Sequence, residues 1–210
     1  MFTALDQKSK LLAAYRIGKR NHQTTAAMIA DLERRMVRLP VSEGEDRPQL
    51  STDGWASYIP TIGRSFGQSV KHGILIKQYR NPESGRYAPP ALTGTERIAV
   101  QNITDVTTIC TSHVERCNGT IRQWCKRFTR LTYAFSKKLE NLAAAVAIHV
   151  AAYNFVKIHG SLKMTPAMAA GVVDKLWSMD DLYNAVMEQA ERKRKSARID
   201  RLIAKLREQN

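Results

Sequence analysis

The stretch from residue 111 to 138 limits the fold of this chain more than any other. Val114, Ile121, Trp124, Phe128 and Leu131 recur three or four residues apart, or at the sum of those steps. That period predicts one amphipathic helix with its apolar stripe on a core. Thr111 or Ser112 can cap it, which puts Glu115 in the first turn, where a carboxylate suits the helix dipole. From Arg116 to Lys138 there are seven basic residues and no acid. Arg122, Lys126 and Arg130 follow Glu115 at helical spacing, so a polyanion is expected to run past that carboxylate. The alternative is a capped surface helix whose basic face only meets water.

Charge across the whole chain points the same way. Its 210 residues carry a formal net charge of +14, which favours nucleic acid or an anionic membrane surface as partner. No apolar run approaches the roughly 20 residues that span a bilayer, and residues 1–12 lack the basic start and apolar centre of a signal peptide. The expected location is the cytoplasm, in association with the nucleoid. Cys110, Cys117 and Cys125 are odd in number and read as reduced thiols. A zinc site built from them and His113 is the alternative, but no second ligand pair has knuckle spacing.

In chain order, residues 1–6 and 11–17 predict a hairpin with a turn at Asp6-Gln7-Lys8-Ser9. A helix follows from Thr24 or Thr25 to about Arg38, its apolar face being Met28, Ile29, Leu32, Met36 and Leu39, and Pro40 stops it. An acidic loop leads to a short strand at residues 49–52, closed by Asp53-Gly54. Residues 55–66 predict a helix interrupted at Pro60, and residues 70–79 another strand. The order strand, strand, helix, strand, helix, strand implies a mixed sheet with helices packed on it. Residues 81–109, with Pro82, Gly85, Pro89, Pro90 and Gly94, read as a long loop. After the basic helix, residues 139–155 predict a nearly all-apolar helix buried on most sides. Thr165-Pro166-Ala167 starts a helical turn, and the pattern is helical from Met179 to the end. That charged tail is either a solvated helix or an arm that tracks DNA or oligomerises.

Asp53 at a strand end and Glu115 in the first turn of a later helix are two carboxylates beside a basic face. Divalent-metal phosphodiester chemistry uses such a pair, because Mg²⁺ prefers oxygen ligands and two metals can hold the attacking and leaving oxygens. Taken alone, an Asp-Gly after a strand is a turn.

Three motifs sharpen the expectation. Ser51-Thr52-Asp53-Gly54-Trp55, then Thr111-Ser112-His113-Val114-Glu115-Arg116-Cys117-Asn118, then the run from Arg127 to Asn141 resemble the DDE transposases of bacterial insertion sequences, of the insertion-element-one type. Tyr153-Asn154-Phe155-Val156-Lys157-Ile158-His159 and Thr165-Pro166-Ala167-Met168-Ala169-Ala170-Gly171 are similar to that family's C-terminal signature. The resemblance covers Phe2 to about Tyr183. It implies an α/β fold, an RNase-H-like mixed sheet flanked by helices, over residues 1–178, with a basic helical extension at 179–210. It also implies two Mg²⁺ or Mn²⁺ ions, cleavage of DNA at the element's ends, and joining of the freed 3′-hydroxyl to target DNA. Asp53 and Glu115 match the second and third acids, as catalytic residues and metal ligands. Arg116, Arg122, Lys126, Arg127 and Arg130 match the phosphate-contacting basic motif. Asn154 and His159 match the terminal motif, or simply hold two helices together. The implied partners are DNA and further copies of the chain, with no membrane and no small-molecule substrate.

The sequence also departs from that pattern. The family's first acid lies on a strand before Phe2-Thr3-Ala4-Leu5-Asp6, and Asp6, in a turn, is a poor substitute. The expected protein is therefore an N-terminally truncated, inactive transposase with the first, central strand of its sheet missing. Unpaired strand edges should make it poorly soluble. Gly119 stands where an apolar residue is expected and costs roughly 1 kcal/mol of helix stability relative to alanine. The alternative function is a non-catalytic DNA-binding or oligomerising remnant that inhibits transposition.

Overall fold

The computed structural model describes residues 1–36, 47–81, 90–129 and 133–208. Contacts divide the chain into two units, one of Met1–Gln7 with Leu12–Trp124, the other of Lys8–Leu11 with Cys125–Asn210. The units part after Trp124, whereas the sequence division was placed at residue 178.

The first unit is mixed α/β. Strands β1 (Phe2–Leu5) and β2 (Leu12–Arg16) form the expected antiparallel hairpin. Strands β3 (Gln49–Asp53), β4 (Lys71–Arg80) and β5 (Ala91–Gln101) form a mixed sheet in that order, β3 parallel to β4 and β4 antiparallel to β5. Among the described residues the two sheets are not hydrogen-bonded to each other. They share one apolar cluster instead. Phe2 and Ala14 from the hairpin meet Met28, Ile29, Leu32, Ile62, Phe66 and Val70, with Leu50 and Trp55 packed at its margin. Each large side chain fully buried there contributes roughly 1.5–3 kcal/mol.

Helix α1 (His22–Arg35) starts two residues earlier than its apolar period implies. The reason is Asn21, whose Oδ1 accepts from Thr24 N at 2.9 Å and so satisfies one of the first turn's orphan donors. Thr25, Met28, Ile29 and Leu32 make its buried stripe, while Leu39 and Pro40 lie outside the described residues. Asn21→Ala should cost about 1 kcal/mol, read as a lower urea midpoint with the slope unchanged. Helix α2 (Tyr58–Phe66) carries Pro60 in its first turn. The expected interruption is absent, because a proline there removes no intrahelical hydrogen bond.

Two expectations in this unit need correction. Residues 91–101, read as loop, are the strand β5. Nearly every residue of β5 is exposed, so neither face carries the apolar alternation by which a strand is recognised. The basic helix is α3 (Ser112–Trp124) and does not reach Lys138. Cys125 is extended at φ −108° and ψ 94°, and a short 3₁₀ turn, Lys126–Phe128, follows. Trp124, Cys125, Phe128, Thr129, Thr132 and Tyr133 are poor helix formers in close succession. Trp124, expected on the apolar stripe, is 61% exposed. The buried face of α3 is Cys117 and Ile121, and it packs on β1, where Thr3 Oγ1 donates to Asn118 Oδ1 at 3.0 Å.

The second unit is helical. Helix α4 (Leu139–Ala151) continues into a π turn, Ala152–Val156. Helices α5 (Pro166–Ala169) and α6 (Met179–Glu208) follow. Thr165 caps α5, and Ser178 with Asp181 makes a reciprocal capping box at the head of α6. Helix α4 is not buried on most sides as expected: only Val146 and Val150 of its residues are, and Leu139 and Ile148 are exposed. Within this unit α5 and α6 pack on the π turn that continues α4, which leaves most of α4 itself uncovered. The 18-residue stretch Leu139–Val156 is long and apolar enough to cross a membrane by length and composition. This corrects the expectation that no run comes near that length. Glu140, Asn141, His149 and Asn154 interrupt the run as read in sequence, yet the stretch as a whole stays apolar.

Candidate functional site

The geometry of the site follows from strand register. Ser51 lies opposite Gly73 and Asp53 opposite Leu75 in the parallel pair. Side chains alternate along a strand, so Gln49, Ser51 and Asp53 share one face of the sheet with Gly73, Leu75 and Lys77. The chain entering α3 runs along that face. Thr108 Oγ1 donates to Gln49 Oε1 at 3.1 Å, and Cys110 N to Ser51 Oγ at 3.4 Å. Ile109, fully buried between them, packs over Gly73. The register advances two residues on each strand at each step, toward Asp53. It ends with Lys77 Nζ donating to Glu115 Oε2. Asp53 therefore ends β3 on that face, and Glu115, in the first turn of α3, meets the face through Lys77.

Each acid has defined partners. Asp53 Oδ1 accepts from Trp55 N at 3.1 Å, closing the turn that an Asp-Gly pair implies. Its other oxygen accepts from Arg20 Nη2 at 3.0 Å. Arg20 also lies over the Trp55 ring, 4.8 Å from its centroid, and Trp55 Nε1 donates to Thr25 Oγ1 at 3.0 Å. This small assembly fixes the β3 end of the site to the core through the wholly buried Thr25. Nearby, burial pushes the Tyr58 hydroxyl up to about 12, the Asp53 charge adding to it and Arg20 opposing it. Glu115 Oε1 accepts from Thr111 Oγ1 at 2.7 Å. Burial alone would raise the Glu115 carboxyl, but the hydrogen bonds from Lys77 and Thr111 and the Lys77 charge outweigh it and hold the group below its ordinary value. Glu115 is therefore an anion at neutral pH, and both acid side chains remain about half exposed.

Asp53 and Glu115 are hard oxygen donors, ionised in the case of Glu115 and open to solvent. Such donors are the kind that Mg²⁺ and Mn²⁺ prefer, ions that complete their shells with water and phosphate oxygens. Among the described residues no three of His, Cys, Asp and Glu gather into a metal-holding group, so the pair is a partial set. Cys110, Cys117 and Cys125 are free thiols.

The basic residues divide. Arg116 and Arg122 are exposed on α3, and Arg122, seven residues after Glu115, sits two turns along the same helix face. Lys126 and Arg127 are not part of α3. They lie in the 3₁₀ turn of the second unit, with Arg127 bonded to Ser136 Oγ, and Arg130 lies outside the described residues. In the second unit Asn154 is buried, while His159 opens a tight turn in which its N–H donates to Met164 O and its O accepts from Lys163 N.

Sequence reasoning missed Arg20 and Lys77. Lys77 leaves one trace, a lysine that ends the apolar run Ile74-Leu75-Ile76 two residues beyond Leu75. Arg20, in the connection between β2 and α1, leaves none. Comparison with known proteins finds no matching family model, no matching curated protein and no matching solved structure.

Proposed function

We propose that this chain is a DNA-acting protein of the DDE transposase lineage, built on an RNase-H-like sheet, with Asp53 and Glu115 matching the second and third of the lineage's three metal-binding acids. One observation carries the reading: Thr108 and Cys110 bond in turn to Gln49 and Ser51 of β3, and α3, which begins at Ser112, then brings Glu115 to Lys77 on the sheet face that carries Asp53. The charge of +14 supports a polyanionic partner. When bound, Mg²⁺ or Mn²⁺ would supply a Lewis acid and an activated water for phosphodiester cleavage and strand transfer. Asp53 and Glu115 would hold the metal. Arg116 and Arg122, with Lys126, Arg127 and Arg130, would take backbone phosphates of element ends and target. Strand transfer between two DNA ends calls for more than one copy, and such a protein works on the DNA of the cytoplasm.

The second reading is a non-catalytic DNA-binding or oligomerising module that inhibits transposition. The ion pairing of both acids favours it, since Arg20 and Lys77 leave neither carboxylate bare. The two readings share DNA binding and differ in chemistry. We expect this 210-residue polypeptide, in which no third acid stands beside the two among the described residues, to bind duplex DNA but not to nick supercoiled plasmid in Mn²⁺. Its affinity should fall steeply from 50 to 200 mM salt, and the Asp53→Asn, Glu115→Gln double variant should bind within about twofold of wild type. Nicking that this double variant abolishes would establish a complete site and overturn the expected inactivity. Salt-insensitive binding, or none at 50 mM salt, would remove DNA from the proposal altogether.

A further inference from the structure

The two acids are not held by the basic elements that would meet DNA in the reading above. Their partners come from two other places in the first unit, the connection before α1 and the strand β4. Arg20 donates to Asp53 at 3.0 Å, and Lys77 donates to Glu115. Lys77 lies on the sheet face that carries Asp53, and Arg20 reaches Asp53 from the connection before α1. With these pairs formed, the four charged groups sum to zero. A divalent cation binding either carboxylate would bring two further positive charges against its guanidinium or ammonium partner. Like charges at such separations repel, while ion pairs this exposed are individually weak. Side-chain exposure is 60% for Arg20, 57% for Asp53 and 49% for Glu115, although only 22% for Lys77. A pair of this kind resists displacement by no more than about fivefold in an equilibrium.

We propose that Arg20 and Lys77 are the exchangeable counter-ions of this site: a divalent metal takes Asp53 and Glu115 from them, and the freed side chains bind phosphate oxygens of the nucleic acid. Arg20 is suited to the exchange because its hold on Trp55, 4.8 Å from the ring centroid, does not depend on the carboxylate. The guanidinium stays at the site when Asp53 is withdrawn, with its N–H fork free for a phosphate. Lys77 is anchored by β4 itself, and its ammonium group needs only to rotate away from Glu115. Metal and DNA binding are then positively coupled. Each raises the affinity of the other by the same factor, since the coupling is reciprocal. This inference rests on the proposed function, because it takes Asp53 and Glu115 as metal ligands.

The test uses the full chain and Tb³⁺, a hard cation whose luminescence is sensitised by a nearby tryptophan; Trp55 is two residues from Asp53. Arg20→Gln and Lys77→Met should each tighten Tb³⁺ binding by about twofold to fivefold, and Lys77→Arg should stay at the wild-type value. A second readout is duplex DNA affinity with and without Ca²⁺, which should rise with Ca²⁺ in wild type and rise less in Arg20→Gln and Lys77→Met. Circular dichroism checks that the variants are folded. If Asp53→Asn and Glu115→Gln abolish the Tb³⁺ signal while the two cation variants bind Tb³⁺ no tighter than wild type, the exchange is wrong and the acid site stands. Equal Ca²⁺ enhancement of DNA binding in wild type and cation variants overturns it equally. If the Tb³⁺ signal is indifferent to both acids, the metal reading falls and this inference with it.

Discussion

Lowering the pH from 7 to 4.5 should cost the first unit about 2–3 kcal/mol through one residue, His72. This histidine sits on β4 opposite Leu50 and Gln101, is 1% exposed, and has Thr52 Oγ1 3.0 Å from its Nε2. Burial lowers its pKa from 6.5 to about 4, because the imidazolium would have to lose its water. In the unfolded chain the ring takes a proton near its ordinary value, so between the two pKa values the unfolded state binds more protons. The full stability is present above pH 6.5, drains away as the pH falls toward 4, and levels off once both states are protonated. Carboxylates act in a lower window: the stability from the depressed Glu115 is lost only as the pH drops below 4.5. Urea titrations followed at Trp55, with Trp124 and Trp177 changed to Phe, separate the two windows. A His72→Leu variant should flatten the dependence between pH 6.5 and 4.5. An unchanged slope in that variant would show that His72 is protonated within the fold or that the strand opens to water.

How far such features can be read in sequence depends on whether a residue's surroundings are local. Hairpin β1–β2 and strand β4 announce themselves, because their apolar residues fall into the periods that burial on a core imposes. The turns around Thr165 and Ser178 are equally legible, since a capping side chain bonds its own first turn. Asp53 and Glu115 stand out because an acid closing a strand and an acid heading a basic helix are local facts. β5 is hidden for the opposite reason. Its hold on the sheet is the backbone ladder to β4 together with bonds such as Arg97 Nε to Ile109 O, 3.1 Å, and neither leaves a side-chain pattern. Helix α4 misleads because composition reports what a helix would bury if covered, not how much of it the unit covers. Arg20 and Lys77 join the site through contacts 33 and 38 residues away in the chain. No window of sequence around either residue contains its partner.

The register that places Glu115 on the face of Asp53 hangs on a missing side chain at Gly73, and filling that space should disturb stability and site together. A Cβ built on Gly73 would lie 2.5 Å from Ile109 Cδ1, 2.6 Å from Ile109 Cγ1 and 2.7 Å from Ile103 Cδ1. Those atoms are the ends of side chains, which normally give way, but Ile109 has no exposed surface into which to move. Gly73→Ala should therefore cost about 1–3 kcal/mol as an overpacked core. The relief open to the structure is to lift the chain around Ile109 off the sheet, which lengthens the Cys110–Ser51 contact, already 3.4 Å, and carries Thr111 and Glu115 with it. Tb³⁺ binding should then weaken although no charged residue has changed. Gly119→Ala on α3 is the matched control: its Cβ would meet nothing within 4 Å, so it should stabilise the helix by about 0.5–1 kcal/mol and leave Tb³⁺ binding alone. If Gly73→Ala destabilises the fold as expected but binds Tb³⁺ like wild type, Glu115 is positioned by α3 and not by the segment laid along β3. If it does neither, the close approach of Ile109 to the sheet is absent in solution.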